Sequence, residues 1–350
     1  MSTATPVVNG TSGGVNGAAG RGEPLLEVRD LVKHFPVRGG VLNRVVGNVH
    51  AVNSVSLTVN RGEVVGVVGE SGCGKSTLGK VIIRLIEPTS GSVRFAGKEI
   101  TGLAHSELMA YRRRMQIVFQ DPYSSLNPRM TVRAMLREAM LFHGVVEKDG
   151  VDARIEELIQ TVGLRADAAQ KFPHEFSGGQ RQRLGIARAL ALRPEFIVAD
   201  EPVSALDVSI QAQVLNLMMG LKEDFGLTML FISHDLKVVE HFCDRVVVMY
   251  LGFVVEELEC DRLHGEDGSV GALHPYTKAL LGANPIDDPD DRRPLTVLQG
   301  DVPSPYDLPK GCPFAGRCPQ VMDRCRQERP PLETRATADG GTHRVACWAV

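Results

Sequence analysis

Gly69-Glu70-Ser71-Gly72-Cys73-Gly74-Lys75-Ser76-Thr77 reads G-x-x-x-x-G-K-S, the pattern of a phosphate-binding loop. Before it lies an apolar run, Val64-Val65-Gly66-Val67-Val68. After it Leu78, Val81, Ile82 and Leu85 recur at helical spacing and predict a helix with one apolar face. Strand, glycine-rich turn and helix are the context this pattern needs, and a chance glycine turn would not carry both flanks. Gly69, Gly72 and Gly74 let the backbone curl until several N–H groups of the loop, which also holds Ser71 and Cys73, point inward at an anion. The helix N-terminus adds the positive end of its dipole. Lys75 brings a point charge for β- and γ-phosphates, Ser76 offers a hydroxyl to Mg²⁺, and Thr77 closes the motif. Nucleotide and Mg²⁺ follow from these residues; the kind of machine does not.

The chain has 350 residues, room for one large domain with an appendage or for two domains. A net charge of −3 provides no basic field for nucleic acid. No apolar stretch approaches the roughly 18 residues that span a bilayer. Met1 to Gly22 is rich in Gly, Ser, Thr, Asn and Ala, lacks the apolar core of a secretion signal, and predicts a disordered tail. A cytosolic protein is expected, where disulfides are disfavoured.

In chain order, Leu25 to Phe35 starts as a strand, Arg38 to Gly47 reads as a loop or hairpin tip, and His50 to Val59 alternates like a half-buried antiparallel strand. Ser92 to Phe95 and Ile117 to Phe119 are short strands, the second running into Gln120-Asp121-Pro122. Thr131 to His143 and Asp152 to Val162 have helical spacing. Beyond this insert comes a second glycine motif, Phe176-Ser177-Gly178-Gly179-Gln180-Arg181-Gln182-Arg183. Ser177 is placed to cap the following helix, whose start is a second anion site. Across the insert it cannot serve the phosphates of Lys75, but a paired chain could bring it to the nucleotide. Phe196-Ile197-Val198-Ala199-Asp200-Glu201 reads as a buried parallel strand ending in two carboxylates. Ligands bind at that edge of such a sheet. Asp200 suits Mg²⁺ and Glu201 can polarise a water for in-line attack; the blander reading is a pair that caps the next helix. Asp207 precedes a helix over about Val208 to Asp224. Thr228 to Ile232 is another apolar strand, ending at Ser233-His234-Asp235, where His234 either reaches a γ-phosphate or is an ordinary surface histidine. Val246 to Tyr250 and Phe253 to Glu256 form a closing hairpin.

With these motifs in this order, the chain resembles the nucleotide-binding domain of ABC transporters over about Leu25 to Glu257. The resemblance implies an α/β fold: a P-loop ABC-type ATPase with a mixed sheet core, an antiparallel β subdomain and a helical subdomain at about 121–192. The implied organisation is a tail at 1–24, the ATPase domain at 25–258 and a small cysteine-rich C-terminal extension at 259–350. It further implies an ATP-sandwich dimer, in which Lys75 and Ser76 of one subunit and Ser177, Gly178, Gly179 and Gln180 of the other grip one ATP. By the same resemblance Glu201 is the catalytic base, His234 contacts the γ-phosphate, Gln120 senses Mg²⁺ beside Asp200, Asp207 organises the dimer seam, and Phe35 stacks on adenine. Phe35 as a plain core aromatic is the alternative. Phe176 stands where the common motif has Leu, and both are apolar.

Three stretches narrow the resemblance to oligopeptide/dipeptide permease ATP-binding subunits: Gln120 to Arg129, His274-Pro275-Tyr276-Thr277, and Gly300 to Pro305 leading to Gly311-Cys312-Pro313-Phe314. Gly39 to Asn48 is similar to an insertion in the second, F-type ATPase of such systems. The implied machine is the ATP-hydrolysing motor of a peptide importer at the cytoplasmic face of the cell membrane. Its implied partners are two integral membrane permeases, a homologous second ATPase in a heterodimer, and an extracytoplasmic peptide-binding protein, with no nucleic acid. The rival is a soluble ABC ATPase of DNA repair or translation. Such proteins usually carry two cassettes or long coiled-coil insertions, and this chain has one phosphate loop and no long heptad run. A kinase or GTPase leaves the second glycine motif unexplained.

Cys312-x5-Cys318-x6-Cys325-x21-Cys347 closes the chain. Four thiols in a reducing compartment point to a soft metal site, zinc or iron–sulfur, with free thiols as the other reading. No Cys-x-x-Cys knuckle occurs. Some peptide-permease ATPases carry a [4Fe–4S] cluster on cysteines spaced like these, so the resemblance implies that cluster, with zinc as the alternative. His343 reads as a surface histidine, with a fourth or alternative ligand as the other reading.

Overall fold

A computed structural model of the protein describes residues 22–39, 43–264, 271–283, 300–336 and 342–350. The expected tail lies outside the described residues up to residue 21.

Long antiparallel pairing opens the chain. β1 (Pro24–Gly39) and β2 (Arg44–Asn60) pair from Pro24 opposite Asn60 to Gly39 opposite Arg44. The stretch read as a hairpin tip is therefore mostly strand. β3 (Val64–Val68) follows and is wholly buried. Val65 and Val67 face one apolar core, while Val64 and Val68 face another, as a strand covered on both sides requires. β4 (Ser90–Phe95) and β5 (Lys98–Glu99) complete a four-stranded sheet in the order β2-β1-β4-β5. The remaining strands are β6 (Met115–Val118), β7 (Phe196–Asp200), β8 (Thr228–Ile232), β9 (Arg245–Tyr250), β10 (Phe253–Glu259), β11 (Glu333–Ala336) and β12 (Thr342–Val345). They join β3 in an eight-stranded sheet of order β11-β12-β10-β9-β3-β8-β7-β6. β9, β3, β8, β7 and β6 run parallel, so their carboxyl ends share one edge. The loops that leave this edge after β3, β6, β7 and β8 carry Lys75, Gln120, Glu201 and His234.

The helices are α1 (Lys75–Ile82), α2 (His105–Arg114), α3 (Pro122–Ser125), α4 (Val132–Phe142), α5 (Val151–Thr161), α6 (Gly178–Leu190), α7 (Val208–Phe225), α8 (Leu236–Phe242), α9 (Pro275–Ala283) and α10 (Asp323–Gln327). Leu78, Val81 and Ile82 of α1 are fully buried. Leu85, expected on the same face, lies past the helix end and is 46% exposed. The chain turns away just before it, where Arg84 adopts φ 56°. In the helical insert Thr131 caps α4 by accepting from Ala134 N, and Leu136, Met140, Ile155, Leu158 and Ile159 bury the facing stripes of α4 and α5.

The C-terminal residues are built into the main sheet rather than appended to it. β12 pairs antiparallel with β10, placing Glu256 opposite Val345 and Glu257 opposite Arg344. Arg344 donates to Glu257 at 2.7 Å. His343, read as a surface residue, is 5% exposed, with Nε2 2.7 Å from Glu256 Oε1. Both partners are buried, so this polar pair has little alternative but to satisfy itself.

The cysteines correct the expectation of a metal. Among the described residues no group of three or more His, Cys, Asp or Glu is placed to hold a metal ion. Neither the [4Fe–4S] cluster nor its zinc alternative therefore stands. Cys312, Cys318, Cys325 and Cys347 are free thiols. Cys312 and Cys325 are buried in the apolar core beside Phe314, and Cys312 N donates to Cys325 O at 2.7 Å. Burial pushes the Cys312 thiol up to about 11 and raises those of Cys318 and Cys347 too. A buried protonated thiol behaves as a small hydrophobe, which is how Cys312 and Cys325 pack here.

Candidate functional site

The phosphate loop is shaped by two close approaches. A Cβ on Gly74, at φ 105°, would lie 2.0 Å from Ala51 O, and one on Gly69, at φ 153°, 2.2 Å from Met249 O. Only glycine lets the loop press against β2 and β9 in this way. Lys75 is 4% exposed, and its ammonium donates to Gly69 O at 2.7 Å and Glu70 O at 3.1 Å. A buried cation met by carbonyl dipoles and a thiol, with no carboxylate bonded to it among the described residues, suits an anion.

Next to it, the Ser76 hydroxyl donates to Asp200 Oδ1 at 2.6 Å, and Lys80 Nζ lies 3.5 Å from Asp200 Oδ2. Asp200 is 2% exposed. A hydroxyl and a carboxylate are hard oxygen donors that fit Mg²⁺, which keeps waters and takes further ligands from nucleotide phosphates. Two protein oxygens therefore suffice where a soft metal would need more.

Glu201 occupies the left-handed region at φ 46°. That conformation costs energy in a non-glycine residue and recurs at working sites. It is held by Glu201 N donating to Ile232 O at 3.0 Å and by the Ser204 hydroxyl donating to Glu201 O at 3.1 Å. The carboxylate is thereby turned toward two other strand ends. Gln120 Nε2 donates to Glu201 Oε2 at 2.9 Å, and His234 Nδ1 lies 3.4 Å from the same oxygen.

These groups share one cleft of about 720 Å³, lined by Phe35, Ser71, Gly72, Gly74, Lys75, Ser76, Thr77, Gln120, Glu201 and His234 together with Val49, Ala51, Ser204, Ala205 and Pro305. Gly69 and Cys73 stand behind the lining, with Gly69 O and Cys73 Sγ against the Lys75 ammonium. Phe35 sits opposite Val49 on the β1–β2 ladder. Sequence reading missed Val49, Ala51, Ser204, Ala205 and Pro305. Pro305 arrives from the far end of the chain, and its carbonyl accepts from His50 N at 2.9 Å. Nothing local at Pro305 signals that contact.

The second glycine motif lies elsewhere. Ser177, Gly178, Gly179, Gln180 and Asp207 are absent from the cleft lining. Ser177 and Gln180 form a capping box at the start of α6: Ser177 N donates to Gln180 Oε1 at 3.0 Å and Gln180 N to Ser177 Oγ at 3.4 Å. Gly179 is buried against Ile210 of α7, while Ser177, Gly178, Gln180, Asp207 and Val208 are exposed. Val208 is 81% exposed, an unusual position for an apolar side chain.

A phosphate loop, a strand-end Asp–Glu pair, a histidine on the neighbouring strand and a capped glycine motif on a separate helix define an ATPase of the ABC class. A family model for the ABC transporter matches residues 52–204, and one for the oligopeptide/dipeptide transporter C-terminal region matches 269–325. The chain is 49% identical over 328 residues to the oligopeptide transport ATP-binding protein AppF of Bacillus subtilis (strain 168), covering 93% of this chain and 97% of that one. It is 52% identical over 310 residues to the probable peptide ABC transporter ATP-binding protein y4tS of Sinorhizobium fredii, covering 89% and 86%. The dimeric ATP-binding cassette MJ0796 bound to ADP and Pi superposes with a TM-score of 0.60 at 30% identity, over 67% of this chain and 98% of that one. The chain belongs to the ATP-binding subunits of oligopeptide/dipeptide ABC transporters, and it is an ATPase that uses ATP and Mg²⁺.

Lys75→Ala is expected to weaken ATP binding by about tenfold to a hundredfold, the worth of a hydrogen bond to a charged group. Equilibrium titration with ATP checks it; an unchanged affinity would remove Lys75 from the phosphate site.

Proposed function

We propose that this chain is the motor subunit of a peptide importer, peripheral on the cytoplasmic face of the membrane, and that its working unit is an ATP-sandwich dimer. The observation that carries the dimer is the separation of the two glycine motifs. Lys75 and Ser76 line the cleft, while Ser177, Gly178, Gly179 and Gln180 lie outside it on a surface shared with Asp207 and Val208. A second ATPase chain, the sister subunit in the heterodimer reading, would lay that surface over the nucleotide. Among the described residues no helix is long and apolar enough to cross a membrane.

In this reading Lys75 and the loop amides hold the β- and γ-phosphates, Phe35 stacks on the base, and Ser76, Asp200 and Gln120 would hold Mg²⁺. The ion supplies charge neutralisation on the phosphate oxygens. Glu201 takes the proton of the attacking water, and His234 hydrogen-bonds the γ-phosphate. Gln120 connects this chemistry to the outside. The segment after it, which begins with the short helix α3, carries Tyr123, 61% exposed, beneath the Arg181 guanidinium at 4.0 Å from the ring centroid. The Ser125 carbonyl accepts from Arg188. Both arginines belong to α6, so the loop suited to dock a permease is tied to the helix that would meet the partner's ATP. Nothing observed favours the DNA-repair or translation reading.

Solubilising membranes that carry the tagged full chain tests this. Two integral membrane permeases and a second ATPase are expected to co-purify. Recovery of the chain with nucleic acid or ribosomes, and without membrane proteins, would overturn the import reading.

A further inference from the structure

Arg317 lies next to Cys318 in the C-terminal region, 247 positions from the phosphate loop, yet its guanidinium grips that loop. Nη1 donates to Glu70 Oε2 at 2.6 Å and Nη2 to Glu70 Oε1 at 3.0 Å, a two-pronged fork with the Arg317 side chain 7% exposed. Glu70 is the first variable position of the G-x-x-x-x-G-K-S motif. Its backbone is held as well. Glu70 N donates to the Tyr276 hydroxyl at 2.8 Å, and Glu70 O accepts from Lys75 Nζ at 3.1 Å. Tyr276 is itself fixed, since its ring, that of Tyr250 and that of Phe314 are all fully buried and pack with centroids 4.8 to 5.4 Å apart. The Arg317 fork also reaches the Tyr250 hydroxyl at 3.4 Å.

Docking of the C-terminal region does not require this contact. The β10–β12 ladder, the His343–Glu256 pair and the Pro305–His50 bond already attach it. The fork instead ends on a loop residue whose carbonyl, together with that of Gly69, orients the Lys75 ammonium. We infer that Arg317 is a positioning residue for ATP binding: with Tyr276 it holds Glu70, and through Glu70 it sets the phosphate loop and Lys75. The C-terminal region is thereby part of the nucleotide site. This rests on the ATPase reading and adds to it a residue outside the ATPase motifs.

The test measures ATP affinity, KM and kcat of the full-length chain, with thermal unfolding as a control. Arg317→Met is expected to raise the dissociation constant for ATP about tenfold and to raise KM in step, while kcat at saturating ATP changes less than about twofold. Arg317→Lys keeps the charge without the fork and is expected to recover only part of the affinity. Glu70→Gln is expected to weaken ATP binding in the same direction. Parent-like affinity in Arg317→Met, with only a lower unfolding temperature, would overturn the inference and leave the ATPase reading standing. Should Arg317→Met not fold, parent-like affinity in both Arg317→Lys and Glu70→Gln would overturn it equally. A parent chain that binds no ATP would overturn both.

Discussion

Glu201→Gln is expected to bind ATP as the parent does and to hydrolyse it at least about a hundredfold more slowly, the usual contribution of a general base. The exchange keeps the size and planarity of the side chain, so the left-handed backbone at φ 46° and its bonds to Ile232 O and the Ser204 hydroxyl are undisturbed. Gln120 Nε2 now donates to a carboxylate oxygen at 2.9 Å, and an amide oxygen in the same place still accepts it. What is lost is the capacity to take a proton from water. Lys75 and the loop that bind the phosphates are untouched. In a sandwich dimer, slowed hydrolysis leaves ATP at the seam, so the closed assembly should accumulate when ATP is added. Phosphate release and size-exclusion chromatography with ATP measure both effects. Hydrolysis near the parent rate would assign the base to another residue.

The parts of the site that could be read beforehand are contiguous or end a strand. The phosphate loop announces itself because glycines at fixed offsets are needed for two backbone approaches, to Ala51 O and Met249 O. Gln120, Glu201 and His234 each follow an apolar run, and parallel neighbours bring the ends of such runs to one edge. The strain at Glu201 was not legible, because a positive φ in a non-glycine residue depends on the contacts around it. Nor were Pro305 or Arg317, whose partners His50 and Glu70 lie more than two hundred residues away. Leu85 misled because helical spacing continues past the residue where the backbone leaves the helix. His343 misled because a lone histidine carries no sign of the buried Glu256 that meets it. The cysteines misled most: their spacing suggested ligands, whereas the fold puts Cys312 and Cys325 into an apolar core and raises the Cys312 thiol by burial.

Gly179→Ala is expected to leave ATP binding by the isolated chain unchanged within about twofold and to lower turnover of the assembled dimer about a hundredfold. A Cβ at Gly179 would lie 2.4 Å from Ile210 Cγ2, a contact that real side chains do not make. Ile210 is β-branched and stiff, and it sits in the first turn of α7, so it cannot swing aside cheaply. The start of α6 must therefore move away from α7 by about an ångström, and misplacement on that scale can cost about a hundredfold in rate. Ser177, Gly178 and Gln180 move with it, yet none of them lines the cleft of their own chain. Binding and turnover therefore separate only if this surface serves the nucleotide of another subunit. Removing the obstacle provides the control. With Ile210→Ala the nearest atom of that side chain becomes Cβ, 3.8 Å away, which is ordinary contact. Gly179→Ala combined with Ile210→Ala should regain most of the lost turnover. If Gly179→Ala weakens ATP binding by the isolated chain as much as it slows turnover, the motif acts on its own nucleotide and the sandwich is wrong.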